Sequence, residues 1–335
     1  MKEKPEISVL IAVYNVEEYV VRCLESVFNN TIIDKAEIII IDDFSTDNSY
    51  QKVENFIKQY KNLNITLLRQ EKNSGIATVR QKALDKANGK YFIYIDSDDW
   101  VEPDYLELLY NKAIQTNADC VGCSFYKEKN KTELISIPLK STGKDNLKAL
   151  FYMNIYPMIW CKLFKREIFI NNSIKFNQNF NNNEDDLICL KFFSFADKVS
   201  YVEKPLYHYF IRQDSISYKR DIQYYKNALE VYTAGKDFLI DNNLFKDFED
   251  DIFSKLLYYK IKILRHSNLF NYKKNVCFDE KDVILLNKWE KLNRQKITML
   301  IPALVKKQFI KADLLFILYK LKNSISRITS ILRKE

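Results

Sequence analysis

The sequence predicts an α/β fold, a mostly parallel sheet flanked by helices, with a helical region after it. Three observations carry this. Strand-like and helix-like patterns alternate four times in the first hundred residues. The strand-like runs are nearly continuous in apolar residues, as in strands covered on both faces. Three of them end in polar or acidic residues, at Tyr14-Asn15, Asp42-Asp43 and Asp96 to Asp99. A parallel sheet gathers such ends at one edge, and ligands of open α/β sheets bind there.

In order, Ile7 to Val13 reads as the first strand, and Glu17 to Phe28 has helical spacing through Tyr19, Cys23, Leu24 and Val27. Glu37 to Ile41 is the second strand, and Asp47 or Ser49 caps a helix reaching about Tyr60. Ile65 to Leu68 is the third strand, Asn73-Ser74-Gly75 a turn, and Ile76 to Ala87 a helix closed by Asn88-Gly89. Tyr91 to Asp96 is the fourth strand. Beyond it, Val101 to Gln115 reads as helix, Cys120 to Tyr126 and Leu134 to Leu139 as strands, and Ser141 to Asp145 as a helix start. From Asp221 to about Leu286 the pattern is helical, which divides the chain into a first domain, 1–218, and a helical region, 219–335.

The chain has 335 residues, 47% hydrophobic and 14% aromatic with only five glycines, which suits a packed core and excludes disordered and collagen-like classes. It opens without a secretory pattern, and no apolar stretch reaches the roughly 20 residues of a membrane span. The expected location is the cytoplasm, including the inner face of the cytoplasmic membrane. Six cysteines are scattered; Cys120 and Cys123 form a C-x-x-C inside a strand, where they face opposite sides, and read as buried reduced thiols rather than a zinc or redox pair. Of the net charge of +8, residues 291–335 carry +9 and the rest sums to −1. In that tail Leu314, Leu318, Leu321, Ile325, Ile328 and Leu332 recur at alternating spacings of four and three. Such a basic stripe over 302–335 packs on its own domain, pairs two copies, or lies on an anionic membrane. Nucleic acid is not an expected partner, because no aromatic-basic groove accompanies the charge.

The chemistry concentrates at Asp96-Ser97-Asp98-Asp99. Carboxylates so close need a cation, and Mn²⁺ or Mg²⁺, which take oxygen ligands and share a phosphate, fit. The plainer reading is a cap on the helix that follows.

Ser8 to Asn15, Asp42-Asp43-Phe44-Ser45-Thr46-Asp47, Asn73-Ser74-Gly75 with Arg80, and Asp96 to Asp99 resemble, in this order, the successive motifs of family 2 glycosyltransferases. The likeness covers about residues 5–218. It implies the glycosyltransferase A fold, a Rossmann-like sheet, and an inverting, metal-dependent enzyme of bacterial surface-glycan synthesis. By the resemblance, Ala12, Tyr14, Asn15, Asp42, Asp43, Asn73, Arg80, Asp96, Ser97, Arg212, Ser215 and Ser217 hold the nucleotide, with Asp43 on the base. Asp98 and Asp99 hold the metal, Mn²⁺ or Mg²⁺. Trp160 and Lys162 line the acceptor site or belong to the core. Glu184-Asp185 matches the family's Glu-Asp motif, whose Asp is the catalytic base; in the plainer reading Asp185 or Asp186 caps the helix that begins there. His208 reads as a packed residue. Two departures stand out: Phe44 where Gly is common, and Gln81 where Asn usually follows the Arg. The implied partners are a nucleotide-sugar donor, above all a UDP-sugar, and a glycan, lipid-linked or glycoprotein acceptor. The rival class is a non-catalytic scaffold recruiting partners through its C-terminal helix, but the carboxylates such a protein would lose are all present. A nucleotidyltransferase would need a Gly-rich basic loop after the first strand, and Val13 to Glu18 has none.

Overall fold

A nine-stranded mixed sheet organises the first part of the chain. The computed structural model describes residues 4–180, 182–212, 221–267, 271 and 275–290. Ser215, Ser217 and the stripe over 302–335 lie outside the described residues.

Strands β1 (Ile7–Val13), β2 (Ala36–Asp42), β3 (Asn64–Arg69) and β4 (Tyr91–Asp96) form the parallel half, in the order β3-β2-β1-β4. β1, β2 and all of β4 but Asp96 are buried almost throughout, as their unbroken apolar runs require. Helices α1 (Val20–Phe28), α2 (Ser49–Ile57) and α3 (Ile76–Lys86) make the crossovers. Register settles what the strand ends can do. Val13 pairs with Asp42 on one side and Ala12 with Asp96 on the other, so both carboxylates flank the end of β1.

The second half is mixed. β5 (Trp100–Val101), β6 (Cys120–Glu128), β7 (Thr132–Ile135), β8 (Lys162–Lys165) and β9 (Val199–Phe210) complete the path β4-β8-β6-β9-β5, with β7 on β6. β8 runs antiparallel to both β4 and β6, while β9 runs parallel to β6. Helices α4 (Tyr105–Thr116), α5 (Gly143–Phe151), α6 (Arg166–Asn171) and α7 (Glu184–Phe193) accompany them. Two expected elements are shorter than read. The helix expected from Val101 starts at Tyr105, because Trp100 and Val101 pair with His208 and Tyr207 of β9. The strand expected over Leu134 to Leu139 is ordered as strand only to Ile135, where its pairing with β6 ends.

The described residues fall into two compact units, one of residues up to 212 with 237–244, the other of 221–236 with those from 245. The second holds most of α8 (Ile222–Asp241), α9 (Phe245–His266) and α10 (Glu280–Glu290). There Lys260 pairs with buried Asp282 at 2.6 Å, tying α9 to α10. Cys23, Cys120, Cys123, Cys161 and Cys189 are buried and unbridged, and burial pushes the Cys120 and Cys123 thiols up. His208 is packed as read: it stacks on Trp100 at 4.8 Å, with Glu128 and Glu102 at 2.8 and 2.9 Å from its ring nitrogens.

Candidate active site

The parallel strand ends are stitched together by their own loops. Asn15 receives a hydrogen bond at Oδ1 from the Thr46 amide (2.9 Å), and its amide donates to Ser45 Oγ (3.2 Å). Asp43 accepts from the amides of Ser74 (2.8 Å) and Gly75 (2.9 Å), which anchors the turn before α3. Gly75 has φ 83°, a backbone that a side chain would strain. Asn73 Nδ2 lies 3.5 Å from the Asp43 carbonyl, so the expected nucleotide residues of three loops meet here. Asp42 is fully buried and paired with Arg69 at 3.2 Å. Its carboxylate braces the loop through the Ser45 amide. Phe44 keeps a left-handed backbone (φ 63°) that glycine would adopt freely, at a cost of about 1 kcal/mol. It and Tyr14 are the exposed aromatic side chains of this edge. Ala12 lies within β1, and Ser97 is buried in the turn after β4.

The centre is Arg80. From α3 its buried guanidinium reaches Asp96 (2.8 Å) at the end of β4, and Glu184 and Asp185 (both 2.7 Å) at the start of α7. Burial works against its charge, but Asp185, Asp96 and Glu184 outweigh this and hold its pKa above the usual value. One cation facing three carboxylates leaves an excess of negative charge. Burial first, then Glu184 and Asp96, push Asp185 up to about 7 against the pull of Arg80. The Ile159 amide, 3.4 Å away, points at its other oxygen. Arg80, placed by resemblance on the nucleotide, is thus joined to three carboxylates.

The three aspartates after β4 part company. Asp99 is fully buried, with one oxygen taken by Tyr207 Oη (2.7 Å) and the other by the Phe210 amide (2.8 Å). Placed on the metal by resemblance, it instead braces β9 against the 96–99 turn. Asp98 keeps about a quarter of its side chain exposed and faces Arg212 Nε at 3.4 Å. Burial, then Asp96, push its carboxyl up to about 6 against the pull of Arg212. A partly accessible carboxylate fits a hard divalent ion that completes its shell with water and phosphate oxygens. Among the described residues no three His, Cys, Asp or Glu gather as a closed metal site.

Trp160 and Lys162 are core residues. Trp160 is stacked on Tyr207 (4.5 Å) and Tyr209 (5.2 Å). Lys162, 3% exposed, donates to the carbonyls of Tyr156 (3.2 Å) and Met158 (2.5 Å). Lys162, Leu163 and Phe164 are all buried, so both faces of β8 are covered. Lys162→Met is therefore expected to leave two carbonyls without a donor and cost about 1–3 kcal/mol in denaturant unfolding. An unchanged midpoint would refute that bracing role.

Sequence reading assigned no role to Arg22 or Tyr207. Arg22 donates to the Asp98 carbonyl (2.7 Å) and lies 3.9 Å over the Trp100 ring. Its one signal is a cation within the apolar run Val20 to Leu24. Tyr207 Oη also accepts from the Asp96 amide (3.1 Å), linking both ends of the acidic turn.

A sheet whose parallel half ends in carboxylates, crossed by an antiparallel strand beyond β4, is the glycosyltransferase A architecture. Residues 8–173 match the family described as glycosyl transferase family 2. The Bacillus subtilis protein EpsH is 33% identical over 258 residues, 75% of this chain and 74% of EpsH. The chain belongs to family 2 of the glycosyltransferases. The poly(ribitol-phosphate) β-N-acetylglucosaminyltransferase TarP of Staphylococcus aureus is 29% identical over 301 residues, 85% of this chain and 88% of TarP. The crystal structure of residues 1–349 of S. aureus TarS with UDP-GlcNAc superposes with a TM-score of 0.73 at 18% identity, covering 95% of this chain and 92% of that one. Among the described residues no helix is long and apolar enough to cross a membrane.

Proposed function

We propose that the chain transfers a sugar from a UDP-sugar, with inversion, to a hydroxyl of a growing surface glycan. The observation that carries this is Asp185, a carboxylate near neutral pKa held against the strand-end cluster by Arg80 and the Ile159 amide. A base for this reaction must be ionised near pH 7 yet basic enough to take a hydroxyl proton. The acceptor oxygen bonds to the anomeric carbon as the bond from that carbon to the diphosphate oxygen breaks. The electron pair leaves with the nucleoside diphosphate, and the acceptor proton passes to Asp185. Glu184 and Asp96 raise the basicity of Asp185, and Arg80 orients it. Asp98 is the residue to hold Mn²⁺ or Mg²⁺, which when bound supplies positive charge to the departing diphosphate. The loops around Asp43, Asn15 and Asn73, with Tyr14 and Phe44 at the rim, are the nucleotide side. Support for UDP comes from the UDP-GlcNAc complex of TarS, and for a surface glycan from the acceptor in the name of TarP.

The test is turnover of a panel of nucleotide sugars with and without Mn²⁺. One UDP-sugar is expected to be hydrolysed slowly in a metal-dependent way, and Asp98→Ala to lower this by about 10²-fold or more. Failure of the wild type to bind any nucleotide would sink the reading.

A further inference from the structure

We propose that Tyr156, with Tyr152 on the same loop, is a platform on which an uncharged pyranose ring of the acceptor stacks. This rests on the glycosyl-transfer reading above.

Ten large hydrophobic side chains are exposed among the described residues, and Tyr152, Met153 and Tyr156 place three of them within five positions. Apolar surface clustered in this way marks an interaction site. The backbone beneath is fixed. Lys162 Nζ holds the carbonyls of Tyr156 and Met158, and Cys189 Sγ, from the helix that carries Asp185, donates to the Pro157 carbonyl at 2.8 Å. The next amide, that of Ile159, is the one that points at Asp185. Three consecutive carbonyls therefore anchor this loop to β8 and α7, and one amide joins it to the base. Phe125 meets the Tyr156 ring edge-on at 6.4 Å, which helps to set its orientation.

Reach selects the occupant. Tyr156 is three residues from Ile159, about 10 Å of chain at most. The reacting hydroxyl must come within about 3 Å of Asp185. A sugar carrying that hydroxyl, or its neighbour in the glycan, is then within reach of the phenol. The electron-rich face of a tyrosine attracts the weakly positive C–H face of a pyranose. A side chain already held in place loses little entropy on binding. Charge narrows the class further. From Phe151 to Cys161 no residue is charged, so the loop offers no cation to a phosphate-rich polymer. The geometry favours a neutral sugar face over a polyanionic backbone.

The experiment uses the full chain with UDP and Mn²⁺ bound. It measures affinity for an array of neutral methyl pyranosides and oligosaccharides, for poly(ribitol phosphate), and for vesicles carrying polyprenyl phosphate. The wild type is expected to bind at least one neutral saccharide. Tyr156→Ala is expected to weaken this by about tenfold, the upper end for one aromatic contact, with Tyr156→Trp retaining it and UDP affinity unchanged. Equal saccharide binding by Tyr156→Ala would overturn the proposal. So would a wild type that binds UDP and no saccharide, or one that prefers the polyanion or the vesicles. Absence of UDP binding would instead remove the glycosyl-transfer reading itself.

Discussion

Asp185→Asn is expected to lower transfer by 10²–10⁴-fold, about what removal of a positioned general base costs, while UDP affinity stays within a factor of about two. The amide is isosteric and keeps its place beside Arg80 but cannot take a proton. A pH profile gives the sharper reading. Asp185 is pushed up to about 7, because burial and the like charges of Glu184 and Asp96 outweigh Arg80. The base works only when ionised, so kcat/KM should rise with pH through about 7 and flatten above it. Glu184→Gln removes one of the like charges and should move this limb to lower pH. Stability runs the other way. A carboxyl whose pKa is raised on folding favours the folded state when protonated, so its contribution declines as pH rises from the ordinary carboxylate range through about 7. An Asp185→Asn enzyme that keeps its activity, or a flat profile over pH 6–8, would remove Asp185 from the role of base.

The parallel half of the fold was legible because its signals are local. Ile7 to Val13 and Tyr91 to Asp96 are apolar runs that end in polar residues, and Gly75 and Gly89 punctuate the chain between elements. Strand-end carboxylates could be read as converging for the same reason, since a parallel sheet sends every strand end to one edge. What each carboxylate does was not legible. Asp99 meets Tyr207 and Phe210, which are 108 and 111 positions away, and nothing in Asp98-Asp99 says which of the two turns inward. Trp160 and Lys162 were left open between acceptor site and core for a related reason. A lysine is rarely buried, and nothing in Lys162-Leu163-Phe164 says that both faces of this strand are covered. The carbonyls that neutralise this rule lie in the irregular loop before it. His208, by contrast, read correctly as packed because aromatic residues surround it in sequence as well as in space.

Arg80 is where the resemblance and the geometry lead to different experiments. If its role were to hold the nucleotide, Arg80→Met would weaken UDP binding and leave the melting temperature nearly unchanged. The guanidinium instead makes three ion pairs at 2.7–2.8 Å to groups on α7 and β4. Removing it would leave Asp96, Glu184 and Asp185, all part-buried, around an apolar side chain. Stripping one partner from a buried charge cluster costs about 3–5 kcal/mol. For a unit of this size that is a fall in melting temperature of about 10 °C. The sign with pH follows from the excess of negative charge. Without Arg80 the carboxyls bind protons more tightly, so the deficit against the wild type should shrink at pH 5 and widen toward pH 8. Arg80→Lys should recover only part of it, because one ammonium cannot fork to three carboxylates as a guanidinium does. A variant with normal stability at pH 8 and lost UDP binding would return Arg80 to the nucleotide; the expected result makes it the residue that couples the end of β4 to the base on α7.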